Sequence, residues 1–189
     1  IIDSVKRIDE EKSSVREILP GLKYELPPMQ EKCNIISDSA AEITDKILLY
    51  PEKMLSKAIL ECVEGFSPIV GREIAYRTVF GDKQVGLLSQ IEKERLENEI
   101  SIIKDEIINN KSFTMLVSKD GIPFDFSFTN IRQYGTTLNK KEYESVSELL
   151  DDFYFEKDKI NRTKRKAADL FKFRRQKNEK MHKSNVSHF

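Results

Sequence analysis

From Ser145 to about Lys180 the chain runs without a single glycine or proline. Nothing in that stretch stops a helix, and Val146, Leu149, Leu150, Phe153 and Ile160 recur at three-four spacing. Later apolar residues, Ala167, Ala168, Leu170 and Phe171, stand in a strongly basic context. A helix this long with so thin an apolar seam cannot bury itself in one small core. It reads as the start of a coiled coil that leaves the globular body.

Charge separates the same segment from the rest. Lys and Arg number 32 and so do Asp and Glu, giving a formal net charge of zero. From Glu156 to Phe189, however, twelve basic residues face four acidic ones, a net of +8, and the remainder carries −8. A basic tail on an acidic body suits an anionic partner, and it also suits a solvated helix face. The charged fraction of 34% exceeds the roughly 25% usual for globular domains. Long solvated helices or a surface facing a polyanion would each account for it.

Ahead of the long helix the pattern alternates between strand and helix signals. Ile1 to Ile8 is rich in β-branched residues and predicts a strand. Leu19-Pro20-Gly21 predicts a turn, and Tyr24 to Leu26 a short extended piece stopped by Pro27-Pro28. Helices are expected from Ala40 to Leu49 behind the caps Ser37, Asp38 and Ser39, and from Glu52 to Val63 with Pro51 at the first turn. A further helix runs from Pro68 to about Phe80. Another, from Asp82 to Asn109, has the alternating Glu and Lys of an exposed face. Ser112 to Ser118 and Phe124 to Phe128 read as a hairpin around Asp120-Gly121. Ile131 to Tyr143 offers one more strand.

The segment Val63 to Arg77, VEGFSPIVGREIAYR, carries the clearest functional signal. Two short amphipathic helices flank a tight Gly65-Phe66-Ser67-Pro68 turn, the layout of a helix-hairpin-helix. Backbone N–H groups at the second helix's start suit a phosphate, and Arg72 and Arg77 would add charge. An ordinary αα-hairpin, with Ser67 and Pro68 as cap and opener, has the same pattern. A second candidate is the run Arg162-Thr163-Lys164-Arg165-Lys166, followed by Lys172, Arg174 and Arg175 with Phe171 and Phe173 interleaved. Basic residues near aromatics fit contact with an RNA backbone; a solvated face with Phe171 in the seam fits too.

Catalysis finds little footing. His182 and His188 stand in the polar tail, where a preorganised base is not expected. Asp151 and Asp152 are adjacent and point apart on a helix, and Glu73 has no evident nucleophile beside it. No GxSxG, P-loop or GxGxxG occurs. Cys33 and Cys62 are the only cysteines and have no zinc-site spacing, so free thiols in a reducing compartment are expected and no metal or cofactor is. No apolar run approaches the ~20 residues of a membrane-spanning helix.

Four motifs in order resemble the N-terminal domain of the RqcH/NEMF (NFACT) family, whose members were formerly described as fibronectin-binding proteins. They are IIDSVKRI followed by REILPGLKYELPPMQEK, then GFSPIVGREI from Gly65 to Ile74. The strand FDFSFTN and the segment ESVSELLDDFYFEKDKINRTKRKAADL complete the set. The GFSPIVGREI segment is similar to the family's Gly-x-Ser-Pro-x-x-x-Arg-Glu-Ile signature. The resemblance implies a fold like that of formamidopyrimidine-DNA glycosylases, with a helix-hairpin-helix part. It also implies a role in quality control of stalled ribosomes. Bacterial members bind the obstructed large subunit and recruit alanyl-tRNA, so that alanine tails are added to the nascent chain by the ribosome itself.

The expectation is therefore an internal fragment of a cytoplasmic tRNA- and rRNA-binding factor, and not an enzyme. The family's Asp-Arg pair needed for tailing precedes the region that Ile1 opens, so this fragment alone is not expected to tail. The fold class is α+β. Residues 1–37 and 111–144 form the sheet part, 38–110 an inserted helical part, 145–180 the long helix and 181–189 a polar tail. Gly65, Ser67 and Arg72 would present the hairpin to phosphate, with Lys164, Arg165 and Lys166 as a second electropositive strip. The rivals are a surface adhesin binding fibronectin or fibrinogen, which predicts export, and a coiled-coil scaffold without an RNA role.

Overall fold

The computed structural model describes residues 1–28, 30–109 and 113–186, with side chains along the last helix described to Lys172. Helices α1 (Ala40–Leu48), α2 (Leu55–Cys62), α3 (Pro68–Val79) and α4 (Gln90–Asn109) come first, with a 3-10 turn at Val85–Leu87 between α3 and α4. Strands β1 (Phe113–Val117), β2 (Pro123–Ser127) and β3 (Asn139–Tyr143) follow, and α5 (Val146–Val186) ends the described chain. The strands form an antiparallel sheet in the order β2-β1-β3. The α+β mixture expected from the sequence is what the structure shows.

Local chemistry accounts for the helix starts. Ser39 caps α1 through a reciprocal pair, its hydroxyl accepting from the Glu42 N–H while the Glu42 carboxylate accepts from the Ser39 N–H. Ser89 and Glu92 repeat the device at α4, satisfying two otherwise orphaned donors each time. Helix α2 has Met54 at its cap, which offers no such oxygen. Asp82 supplies it from across the fold, accepting from the Ser56 N–H at 3.1 Å and the Ser56 hydroxyl at 2.6 Å.

Two expected helix starts move for the same reason. Helix α2 begins at Leu55 rather than Glu52, and α4 at Gln90 rather than Asp82. The intervening residues pair with each other. Met54 bridges Gln84, and the N–H groups of Leu55, Val85 and Gly86 donate to Lys83, Lys53 and Pro51. Backbone groups satisfied by that pairing have no need of helix. Ile1 to Ile8, expected as a strand, carries only a single bridge between Ile8 and Ile18. Ile2 and Val5 are fully exposed, so among the described residues neither a ladder nor a core fixes them as a strand.

The main core lies among the four helices. Ile43 and Ile47 of α1, Leu55, Ile59 and Cys62 of α2, Ile69 and Ile74 of α3, and Leu96, Ile100 and Ile103 of α4 are all buried. Helices α2 and α3 approach closely at Gly71, where a Cβ would meet the Ser56 carbonyl at 2.9 Å. Strand β1 is buried on both faces, and its period of two divides it between two cores. Leu116 joins the helical cluster. Met115 and Val117 face the other way, against Leu149 and Phe153 of α5. Phe153 meets Phe126 edge to face at 4.8 Å, and the Tyr143 hydroxyl donates to Asp152 at 2.8 Å. So the apolar seam begins as sheet packing, and Leu170 and Phe171 further along are exposed.

Candidate nucleic-acid interface

The segment Gly65–Arg77 places each residue differently. Gly65 has φ +76° with open space where a side chain would stand, the left-handed conformation that glycine adopts without cost. Behind it the turn is braced by Cys33, whose N–H donates to the Cys62 carbonyl and whose carbonyl accepts from the Glu64 N–H. Ser67 is the N-cap of α3, yet its side chain makes no cap hydrogen bond. Its carbonyl takes both the Val70 and Gly71 amides. Pro68 has no N–H to satisfy, so among the described residues the Ile69 N–H is the first-turn donor without an intrahelical acceptor. Gly65, Ser67 and Pro68 are exposed, as is the Glu64 carboxylate beside them. That carboxylate accepts from Asn34 Nδ2 at 2.6 Å.

Arg77 does not serve as the sequence suggested. It is 7% exposed and points inward, where its guanidinium donates to Glu73 at 2.8 Å, Glu106 at 3.3 Å, Thr129 at 2.9 Å and the Asn130 carbonyl at 2.6 Å. Glu99 lies 3.8 Å away. Burial pulls its pKa down, but the Glu73 hydrogen bond and the charges of Glu106, Glu73 and Glu99 together outweigh that and raise it. Five residues along a helix is a rotation of about 140°, so the spacing sets Arg72 and Arg77 on nearly opposite faces without saying which face is covered. One faces water and the other the core.

Glu73 is fully buried and is structural, as its lack of a neighbouring nucleophile indicated. Its second oxygen accepts the backbone N–H groups of Arg132 and Gln133 at 2.9 and 3.0 Å. Gln133 Nε2 in turn donates to the Ile69 carbonyl at 3.0 Å. The loop after β2 is thereby clamped to the first turns of α3. The strand expected over Ile131 to Tyr143 occupies only Asn139–Tyr143, and the sequence pattern missed the loop before it. Its signal is Gly135, which has φ +51° and interrupts the apolar pattern.

Arg72 is exposed. Its one described hydrogen bond goes from Nη2 to the Tyr134 hydroxyl at 3.4 Å, and among the described residues it has no ion-pair partner. Of the segment Gly65 to Ile74, then, a positive φ, a cap position, a helix opener, a close helix approach, a buried clamp and core packing account for the other named residues. Arg72 is left with a guanidinium that has no carboxylate partner among the described residues.

Lys164, Arg165 and Lys166 lie on α5, every side chain from 161 to 172 being exposed. Successive helical residues fan apart by about 100°, so these three make a collar around the helix rather than a strip. They stand roughly 16 Å along the axis from Phe153, beyond the residues that pack on the sheet. The structure does not bring them together with Arg72. The side chains of Phe173, Arg174, Arg175 and His182, and all of His188, lie outside the described residues.

Among the described residues no group of three or more His, Cys, Asp or Glu could hold a metal ion. Burial pushes up the thiol pKa of both Cys33 and Cys62, which keeps them protonated, and Cys62 Sγ donates to the Lys46 carbonyl at 3.6 Å. Among the described residues no helix is long and apolar enough to cross a membrane.

Comparison with known proteins agrees with the motif order. The family model described as NFACT N-terminal and middle domains matches residues 1–188. "Rqc2 homolog RqcH" from Bacillus subtilis (strain 168) is 29% identical over 179 residues, covering 92% of this chain. The chain spans 28% of that relative's length. The chain belongs to the NFACT family, matching its N-terminal and middle domains.

Proposed function

We propose that this chain forms part of the RNA-facing surface of a ribosome-associated quality-control factor. On this reading the factor binds tRNA and the large ribosomal subunit in the cytoplasm and supports alanine tailing of stalled nascent chains. The chain acts as a binding component and not as a catalyst. Residues 38–110 are the inserted helical part of that surface, and α5 begins a coiled coil.

The observation that carries the reading is Arg72. An exposed guanidinium without a carboxylate partner among the described residues, in the first turns of α3, is suited to a phosphate oxygen. The exposed Gly65 and Ser67 leave the backbone of that turn open to approach. The basic collar at Lys164–Lys166 adds sequence-independent attraction for a polyanion. Family membership supports the ribosomal setting.

The test is to purify the tagged full-length protein from its own cells and sequence the RNA that comes with it. Enrichment of tRNA and large-subunit rRNA, with little small-subunit rRNA, is the expected result. Recovery of no RNA above a tagged control would overturn the reading.

A further inference from the structure

We propose that Phe124, Tyr134 and Arg72 together form a site for one unpaired nucleotide of an RNA strand. The base stacks on the aromatic pair and its phosphate meets the Arg72 guanidinium. The proposal rests on the RNA-binding reading and adds to it a place and a chemical class of ligand.

The parts come from three separate elements. Arg72 is on α3, Phe124 is on β2, and Tyr134 is on the loop that follows β2. Phe124 and Tyr134 meet edge to face, with ring centroids 5.4 Å apart and planes at 76°. The Tyr134 hydroxyl accepts from Arg72 at 3.4 Å, so the guanidinium and the ring pair are held side by side. Phe124 is 49% exposed, and β2 is an edge strand of the sheet. Arg72 is exposed, and among the described residues it has no ion-pair partner.

A single exposed phenylalanine is ordinary on a protein surface. The combination is less so, because the buried Glu73 carboxylate fixes it. That one group holds the Arg132 and Gln133 amides at 2.9 and 3.0 Å, which sets the loop, and with it Tyr134, against α3. A site whose residues are locked by buried hydrogen bonds loses little freedom when it binds. Base stacking on aromatic rings tolerates any base, and arginine adds both charge and a planar partner. Unpaired nucleotides are what RNA offers to such a surface, since paired bases keep their faces in the stack. Duplex RNA would meet only the Arg72 guanidinium.

The full-length protein is titrated with a fluorescent single-stranded RNA and with a duplex of the same length. Phe124→Leu keeps an apolar side chain without a ring face, and Phe124→Trp keeps the face. The leucine variant is expected to bind the single strand about 5- to 150-fold more weakly, the worth of one stacked base, and the duplex unchanged. The tryptophan variant is expected to bind like the wild type. Ultraviolet crosslinking to a uridine strand should place an adduct on the peptide containing Phe124 or Tyr134.

Unchanged single-strand affinity in Phe124→Leu, with no adduct on that peptide, overturns the site. If Arg72→Gln still weakens binding in that case, the RNA reading itself survives. A wild-type protein that binds neither RNA overturns both. Equal melting temperatures for the variants and the wild type exclude misfolding as the cause of any loss.

Discussion

Glu73 and Arg77, one turn apart on α3, form an ion pair at 2.8 Å with both side chains almost wholly removed from solvent. Each has further partners, so neither charge is left bare. Glu73 accepts two loop amides. Arg77 reaches Glu106, Thr129 and the Asn130 carbonyl, and the Thr129 hydroxyl donates to Glu106. This network joins α3, α4 and the loop after β2.

Breaking it from one side is expected to be costly. Arg77→Ala leaves the buried Glu73 and the half-buried Glu106 without their cation, and a loss of about 3–5 kcal/mol is expected. Denaturant unfolding of the variant and the wild type measures it. A loss below about 1 kcal/mol, the range of an exposed pair, would show that the network contributes little.

The two glycines of the signature segment predict different penalties. Gly71→Ala drives a Cβ to 2.9 Å from the Ser56 carbonyl and 3.0 Å from Leu60 Cγ. Separating α2 from α3 to relieve this is expected to cost about 1–3 kcal/mol. Gly65→Ala meets no atom but must hold φ +76°, at about 1–2 kcal/mol. Gly65→Asn should recover part of that loss and Gly71→Asn none. Thermal melts of the four variants decide it, and equal rescue by asparagine at both positions would contradict the distinction.

Glu92 gives a pH dependence. The Lys83 ammonium, and then the Ser89 amide and hydroxyl, lower its carboxyl from 4.5 to about 2. A folded-state pKa below the unfolded value means that the contribution is present above about 4.5 and is lost as pH falls to about 2. The wild type should therefore be more stable than Glu92→Gln at pH 7, with the gap closing by pH 2. A gap that stays constant over that interval would show that the charge of Glu92 is not what stabilises the start of α4.

Arg72→Gln and charge reversal at Lys164, Arg165 and Lys166 are expected to leave stability within about 0.5 kcal/mol, since all four side chains are exposed. Both should weaken RNA binding. The slope of log affinity against log salt should fall by about 1 for the single phosphate contact of Arg72, and by more for the collar. Binding measured at several salt concentrations checks this. Slopes equal to the wild type's would assign the affinity to other residues.

Much of the architecture was legible because it is local. Ser37-Asp38-Ser39 marks the start of α1, Pro68 opens α3, and Asp120-Gly121 turns the hairpin. Each needs only neighbours three or four residues away. The strand predicted at Ile1–Ile8 failed because a strand's stability lies in its partners. The shifted starts of α2 and α4 failed similarly, since Pro51–Leu55 and Lys83–Gly86 pair with each other across thirty-odd residues.

The sequence by itself determined the helices, the hairpin, the basic end of α5 and the segment in which Arg72 lies. Backbone propensity, capping and charge are properties of short stretches and are written there directly. Only the tertiary structure decided that Arg77 is a buried clamp while Arg72 is exposed, that the seam of α5 starts as sheet packing, and that Tyr134 and Phe124 stand beside Arg72. Those assignments depend on which face of each element is covered and by what, and that is fixed when the elements pack.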